Sequence, residues 1–350
     1  MLCGSDKFPV KDPFVELVKG SLNTFLNAMT YPDKTVYPIA SCNDTDFQNL
    51  MDVYMDAVFH PNIGKEKKIF MQEGWHYELE DPEASSPTTA CIQRDEGRVL
   101  ITGERPGQLY PYGNVPGYLL RRGVRRRSGR HCKLTYEDYL AFYHKYYHPS
   151  NSYIYLYGDM DMTEKLRWLD EEYLGKYDRK EIDSEIQIQK KFKEPIEREI
   201  FYSVSESESL DHATYLSINT QAGNELSPKE YVAFQILEYV LLDAPGAPLK
   251  KALLDAGIGD DIMGGYEYGI LQPYFSVIAK NAEREQKDEF VKIVKAELKK
   301  LADGGIDKKC LKAGINNYEF QYREADYAPR RRDSCTVSSA WTAGSTAAIR

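Results

Sequence analysis

The amino-acid sequence predicts an α+β protein made of two α/β sandwich-like domains, and three observations carry that reading. Strand-like and helix-like stretches are interleaved through both halves of the chain, the pattern expected when helices pack on sheets. The length, 350 residues and 40.2 kDa, accommodates two domains of ordinary size. Between the halves, Asp178–Glu199 is rich in charge and contains Pro195, the composition of a boundary. The expected domains are therefore 1–190 and 191–350. The direction of the sheet strands is not readable from this pattern.

The elements follow in order. Asp12-Pro13 opens a short helix, with Asp as cap and Pro at the first helical position. Thr35–Ser41 reads as a strand. Asp44–Phe59 is an amphipathic helix, because Phe47, Leu50, Met51, Tyr54, Met55 and Val58 recur at helical spacing. Leu134–His148 is a second such helix, opened by Thr135 with Asp138 three residues on. Asn151–Asp159 alternates β-formers and reads as a strand, and Thr163–Tyr173 returns to helix. In the second half, Ala213–Gln221 and Gln272–Ala279 are expected strands. Ser227-Pro228 caps a helix carrying Val232, Ile236, Leu237 and Val240 on its apolar face. Gln286–Leu301 is a helix with Phe290, Ile293, Val294 and Leu298 on one side.

Composition excludes several classes. With 42% hydrophobic and 12% aromatic residues the chain is not broadly disordered, and a net charge of −9 gives no support to nucleic-acid binding. No apolar run approaches a membrane span and the first residues lack a signal-peptide layout, so no membrane partner is expected. The six cysteines are scattered, without a CxxC pair, which suits a reducing compartment; the expected location is the cytoplasm.

Two windows break the grain of the chain. Ala84–Cys132 has no sustained period, many Pro and Gly residues, and an Arg cluster over Arg121–Arg130. A basic surface loop or a nucleic-acid patch are the ordinary readings of such text. We favour a third, translation out of frame. Cys91–Gly97 (CIQRDEG) can be encoded TGT ATA CAA CGA GAT GAA GGG, which read from the second base gives VYNEMKG. Treated alike, Asn114–Ser128 can give TFPDTYYGVESGGDP, and in another frame Asp333–Thr346 can give LMYGLQCLDSWLY, so 328–350 joins the reading.

Those shifted strings matter because of what surrounds them. The opening LCGSDKFPVKDPF, together with QEGWHYELEDPE (Gln72–Glu83), YHPSNSYIYLYGDMD and QYREADY, resembles the presequence-protease branch of the insulinase/pitrilysin zinc metallopeptidases. The resemblance covers Leu2–Glu83 and Lys133–Tyr327. It implies mainly antiparallel sheets with helices on one face, the fold of LuxS and the processing peptidases. It also implies that the chain corresponds to the N-terminal half of such an enzyme. Residues 1–190 would then be a remnant of the catalytic-type domain and 191–350 the associated non-catalytic domain.

Zinc hydrolysis needs three protein ligands, an open position for water and a general base. In the family, an HxxEH helix supplies two ligands and the base, and a Glu in the YNEMKG segment supplies the third. The HxxEH text would lie just upstream of Met1, and the third ligand has passed into another frame. Zinc is therefore expected in intact homologues, with no catalytic residue, metal ligand or bound metal expected in this chain. His144 and His148 form an HxxxH pair, but no Glu stands in catalytic register between them, and helix-end packing suits them better. Gly264-Gly265 and Gly304-Gly305 lack a phosphate-loop context and read as turns.

One functional element carries over by resemblance. Asn27, Ala28, Met29 and Thr30 match the family's NA-x-T stretch, part of the edge strand along which substrate peptide is laid. The competing reading is an ordinary helix-to-strand connection. The function implied is that of a fragment of a metalloendopeptidase acting on unstructured peptides, inactive as written. Its partners would be peptide and the missing C-terminal half. The alternative is a non-catalytic subunit or pseudo-enzyme that pairs with an active peptidase.

Overall fold

A computed structural model describes residues 3–11, 13–31, 33–74, 77–78, 88–89, 134–202, 210–223 and 226–324. Apart from Thr88–Thr89, the windows Ala84–Cys132 and Ala328–Arg350 lie outside the described residues. The described residues up to Ile186 form one compact unit and those from Gln187 form another.

In the first unit, helix α1 (Pro13–Gly20) leads into strand β1 (Asn23–Leu26), then β2 (Met29–Thr30), β3 (Thr35–Val36) and β4 (Ile39–Ser41). Strand β1 pairs antiparallel with β4, and β2 with β3, which makes one bent hairpin. The expected single strand Thr35–Ser41 is thus divided at Tyr37-Pro38. The cause is Pro38, which has no N–H to give to the ladder. Helix α2 (Asp44–Phe59) has the expected bounds. Asn43 caps it by accepting the Asp46 N–H at 2.9 Å. Leu50 and Tyr54 of α2 meet Leu26 in a small core, flanked by Phe14, Leu17, Tyr37 and Ile39.

Helix α3 (Lys67–Glu73) and strands β5 (Tyr77–Glu78) and β6 (Thr88–Thr89) follow, then α4 (Tyr136–Tyr146) and α5 (Met162–Glu172). Thr135 caps α4 through the Asp138 N–H at 3.1 Å, and Asp161 caps α5 through Glu164 N–H at 3.0 Å. From α4, Tyr143 donates to the carbonyls of Val58 and Phe59 at 2.8 and 3.1 Å, satisfying acceptors that the end of α2 leaves open. The expected strand Asn151–Asp159 is absent. A tight turn occupies Pro149–Asn151, and Ser152–Tyr157 joins no sheet among the described residues, leaving Tyr153, Tyr155 and Tyr157 exposed. Alternating β-formers make a strand only where a neighbouring strand accepts the ladder.

The second unit is a three-stranded antiparallel sheet, ordered β7 (Thr214–Gln221), β9 (Tyr274–Ala282), β8 (Asp261–Glu267). Leu216, Ile262, Val277 and Ala279 lie on the sheet face that meets its helices. They pack against Leu241 and Leu242 of a π-helical turn, Leu249 and Leu253 of α7 (Pro248–Asp255), and Phe290 and Val294 of α8 (Lys287–Gly304). That turn, Tyr239–Asp243, extends α6 (Pro228–Glu238), which Ser227 and Glu230 open with a reciprocal capping box. Helix α9 (Lys308–Glu324) closes the unit, with Gly314 buried against Val240 and Ile236. All strand pairs among the described residues are antiparallel.

The pair Gly264-Gly265 is not a turn but the middle of β8. A Cβ at Gly264 would stand 2.2 Å from the Ser276 carbonyl oxygen and 2.7 Å from Leu242, so close approach of the neighbouring strand is what requires glycine there. Gly305 does end a helix, at φ 80°. Among the described residues no helix is long and apolar enough to cross a membrane.

Candidate functional site

The hairpin of the first unit positions the four residues singled out in the sequence. At its tip, Tyr31 N–H donates to Lys34 O at 2.8 Å; further down, Asn27 N–H donates to Pro38 O at 3.1 Å. The register between them pairs Met29 with Val36 and Thr30 with Thr35. In an antiparallel pair, inward and outward main-chain groups alternate. The odd-numbered residues here bond across the hairpin, so the main-chain groups of Ala28 and Thr30 face its outer edge.

Asn27 and Met29 therefore hold the strand, while Ala28 and Thr30 form the edge. Asn27 also trims that edge, because its side-chain oxygen takes the Ala28 N–H at 2.8 Å. What stays outward is the Ala28 carbonyl with the Thr30 N–H and carbonyl, and both side chains are exposed. Such a row can donate to and accept from an extended peptide of almost any sequence.

Three tyrosines brace the hairpin, and sequence reasoning did not find them. Tyr54 on α2 places its hydroxyl 3.5 Å from the Asn27 carbonyl, and burial drives its pKa far up, which keeps it a donor. Tyr37 and Tyr147 share a hydroxyl–hydroxyl bond of 3.1 Å that ties the hairpin to the end of α4. A single Tyr at each position carries no local signal, since the contacts span up to 110 residues.

A second polar cluster lies at the end of α2. Asp56 is 1% exposed; Oδ1 is 2.9 Å from His60 Nδ1 and Oδ2 accepts the Lys7 backbone N–H at 2.7 Å. His60 Nε2 is 2.9 Å from the Tyr177 hydroxyl, and its ring stacks on Tyr173 at 5.9 Å. The Tyr173 hydroxyl donates to Asp52. Burial first, and then the Asp56 charge, hold the Tyr177 phenol in its neutral form; burial and the Asp52 bond do the same for Tyr173. An activated phenol needs the opposite shift, so this chain of bonds pins the segment around Lys7 to α2 rather than preparing a nucleophile.

Among the described residues, no group of three or more His, Cys, Asp or Glu side chains is placed to hold a metal ion. Of the HxxxH pair, His148 accepts the Ser150 N–H at 3.1 Å and sets its ring edge-on to Tyr177. The described residues do not fit a zinc centre, which needs three converging protein ligands.

Comparisons with known proteins bear on the same question. Residues 133–318 match the family described as Peptidase M16 inactive domain. Over 333 residues the chain is 47% identical to Protein HypA of Clostridium perfringens, covering 93% of this chain and 34% of that protein. It is 37% identical over 338 residues to Presequence protease 1, chloroplastic/mitochondrial, of Arabidopsis thaliana, covering 93% and 30% respectively. The chain thus spans about a third of the length of the curated relatives it matches. A solved protease from Helicobacter pylori superposes with a TM-score of 0.65 over 98% of this chain and 76% of that one; at 17% identity this shows the α+β fold alone. The family resembled by the opening phrase is therefore the one matched along half the chain: this protein belongs to the M16 peptidases, in their presequence-protease-like branch.

Proposed function

We propose that this chain is a portion of a zinc-dependent metalloendopeptidase that degrades unstructured peptides, and that it supplies surface for holding peptide rather than metal chemistry. The observation that carries the reading is the match of residues 133–318 to an inactive M16 domain. The outward edge at Ala28 and Thr30 supports it, since main-chain recognition suits substrates without fixed structure. In this reading 1–190 is a remnant of the catalytic-type domain and 191–350 its non-catalytic companion. The windows 84–132 and 328–350 are out of frame, and zinc and the C-terminal half belong to the intact enzyme. In this reading the protein works in the cytoplasm, which the scattered cysteines support because they suit a reducing compartment.

The test is direct. The purified chain should neither take up stoichiometric zinc nor cleave a quenched fluorescent peptide; chelator-sensitive cleavage would overturn the reading. The same inactive-domain match suits a non-catalytic subunit that pairs with an active peptidase. Sequencing the locus separates the two, because HxxEH codons immediately before Met1 favour the portion of an enzyme. The same sequence data decide whether the two windows are out of frame.

A further inference from the structure

The sheet of the second unit ends on one side at β7, which pairs with β9 alone among the described residues. Ala222 N–H donates to Pro273 O at 2.9 Å, and the register Gln221↔Tyr274 continues from it. Alternation along the ladder directs the even-numbered residues Leu216 and Ile218 toward β9. It turns the main-chain groups of Ser217 and Asn219 outward. An eight-residue strand with such an edge is a template for another strand.

The chain itself holds a matching segment beside that edge. Pro195–Tyr202 has no regular hydrogen-bonded structure, and Ile196, Ile200 and Phe201 are exposed. Phe201, at 89%, is the most exposed large apolar side chain among the described residues. The segment is already tethered at one end. The Tyr202 ring meets the Tyr215 ring edge-on with centroids 5.6 Å apart, and the Tyr202 hydroxyl donates to the Ala213 carbonyl. Glu197 and Glu199, two positions apart and so on one side of an extended chain, pair with Lys287 at 2.7 Å and Arg284 at 2.9 Å, where α8 begins.

We propose that Ile196–Tyr202 closes onto the outer edge of β7 as a fourth, antiparallel strand, with Tyr202 opposite Tyr215. In that register Ile200 falls opposite Ser217 and Arg198 opposite Asn219, so the outward main-chain groups gain a ladder. Phe201 falls opposite Leu216, on the face that carries the core, and leaves water. Glu199 and Glu197 lie on that same face, so their ion pairs with α8 persist through closure. Closure orders a short strap, but the ion pairs and the Tyr202–Tyr215 contact have already restricted it. The strap thereby occupies, within one molecule, an edge that would otherwise recruit a strand from another.

Amide hydrogen exchange on the full chain tests this. The Ser217 and Asn219 amides are expected to be protected to the same degree as those of Leu216 and Ile218, at every protein concentration. Exchange of Ser217 and Asn219 as open amides overturns the proposal, and so does protection lost on dilution, which would place a second molecule on the edge. Glu197→Lys with Glu199→Lys should speed exchange at Ser217 and Asn219 by about tenfold while sparing Leu216 and Ile218. Adding Arg284→Glu with Lys287→Glu should restore protection. An unchanged rate in the first variant, or no recovery in the second, counts against closure. The pair Ile200→Cys with Ser217→Cys should form a disulfide under mild oxidation; preferential bridging of Ile200→Cys with Thr220→Cys would refute the register.

Discussion

Asp56 and His60, one helical turn apart at the end of α2, share a 2.9 Å bond in which the carboxylate is buried and the imidazole reaches on to Tyr177. The other carboxylate oxygen takes the Lys7 N–H at 2.7 Å, so one side chain joins the start of the chain, the end of a helix and a residue 117 positions beyond His60. Removing it leaves a part-buried backbone donor and a ring nitrogen without their acceptor.

Asp56→Ala should therefore lower the unfolding free energy by about 2–4 kcal/mol, measured by urea denaturation. Asp56→Asn retains one acceptor and should cost less. Equal midpoints for Asp56→Ala and the parent chain would refute the pin.

Glu238 gives a pH prediction. Burial raises its pKa above the usual carboxylate range, opposed by the Tyr266 N–H that favours the charged form and reinforced by the charges of Asp243 and Glu267. The folded state thus holds this proton more tightly than the unfolded chain. The contribution is favourable below the unfolded pKa and is lost as pH rises through the raised folded value. Glu238→Gln, which can still accept from Tyr266, should stabilise the protein near neutrality and do little in acid below the ordinary carboxylate range. A gain of the same size at both pH values would contradict the burial argument.

Gly264→Ala should cost about 3 kcal/mol, because the added methyl meets a backbone carbonyl of the adjacent strand that cannot swing aside. Gly265→Ala is the control: its Cβ would approach only the Glu238 carboxylate, at 3.3 Å, and should cost less. Thermal unfolding of the two variants gives the comparison.

Thr30→Pro removes an outward N–H from the hairpin edge and leaves the bonds of Asn27 and Tyr31 in place. Affinity for an extended peptide should fall by about tenfold, with the circular dichroism unchanged. Undiminished binding, read by fluorescence anisotropy, would move the peptide elsewhere.

Much of the fold was legible where local chemistry decides it. The helical spacing of Phe47, Leu50, Met51 and Tyr54 defines α2 without help from the rest of the chain. Ser227-Pro228, ahead of Val232, Ile236 and Leu237, does the same for α6. Strand β8 was missed because its two glycines imitate a turn, and they are legible only once β9 lies 2.2 Å from where a Cβ would be. At the candidate site, the Asn27–Thr30 stretch was found by resemblance. Its bracing by Tyr37, Tyr54 and Tyr147 had no local signal.

The sequence by itself determined the family, and it determined helices such as α2, α4 and α6, because a helix and its cap depend on neighbours a few residues away. Tertiary structure decided which alternating segments became strands. Ala213–Gln221 found β9 and entered a sheet, starting at Thr214, whereas Asn151–Asp159, with equally strong β-formers, found no ladder among the described residues. The reason is that a helix closes its hydrogen bonds within itself, while a strand borrows half of its own from a segment that may stand anywhere in the chain.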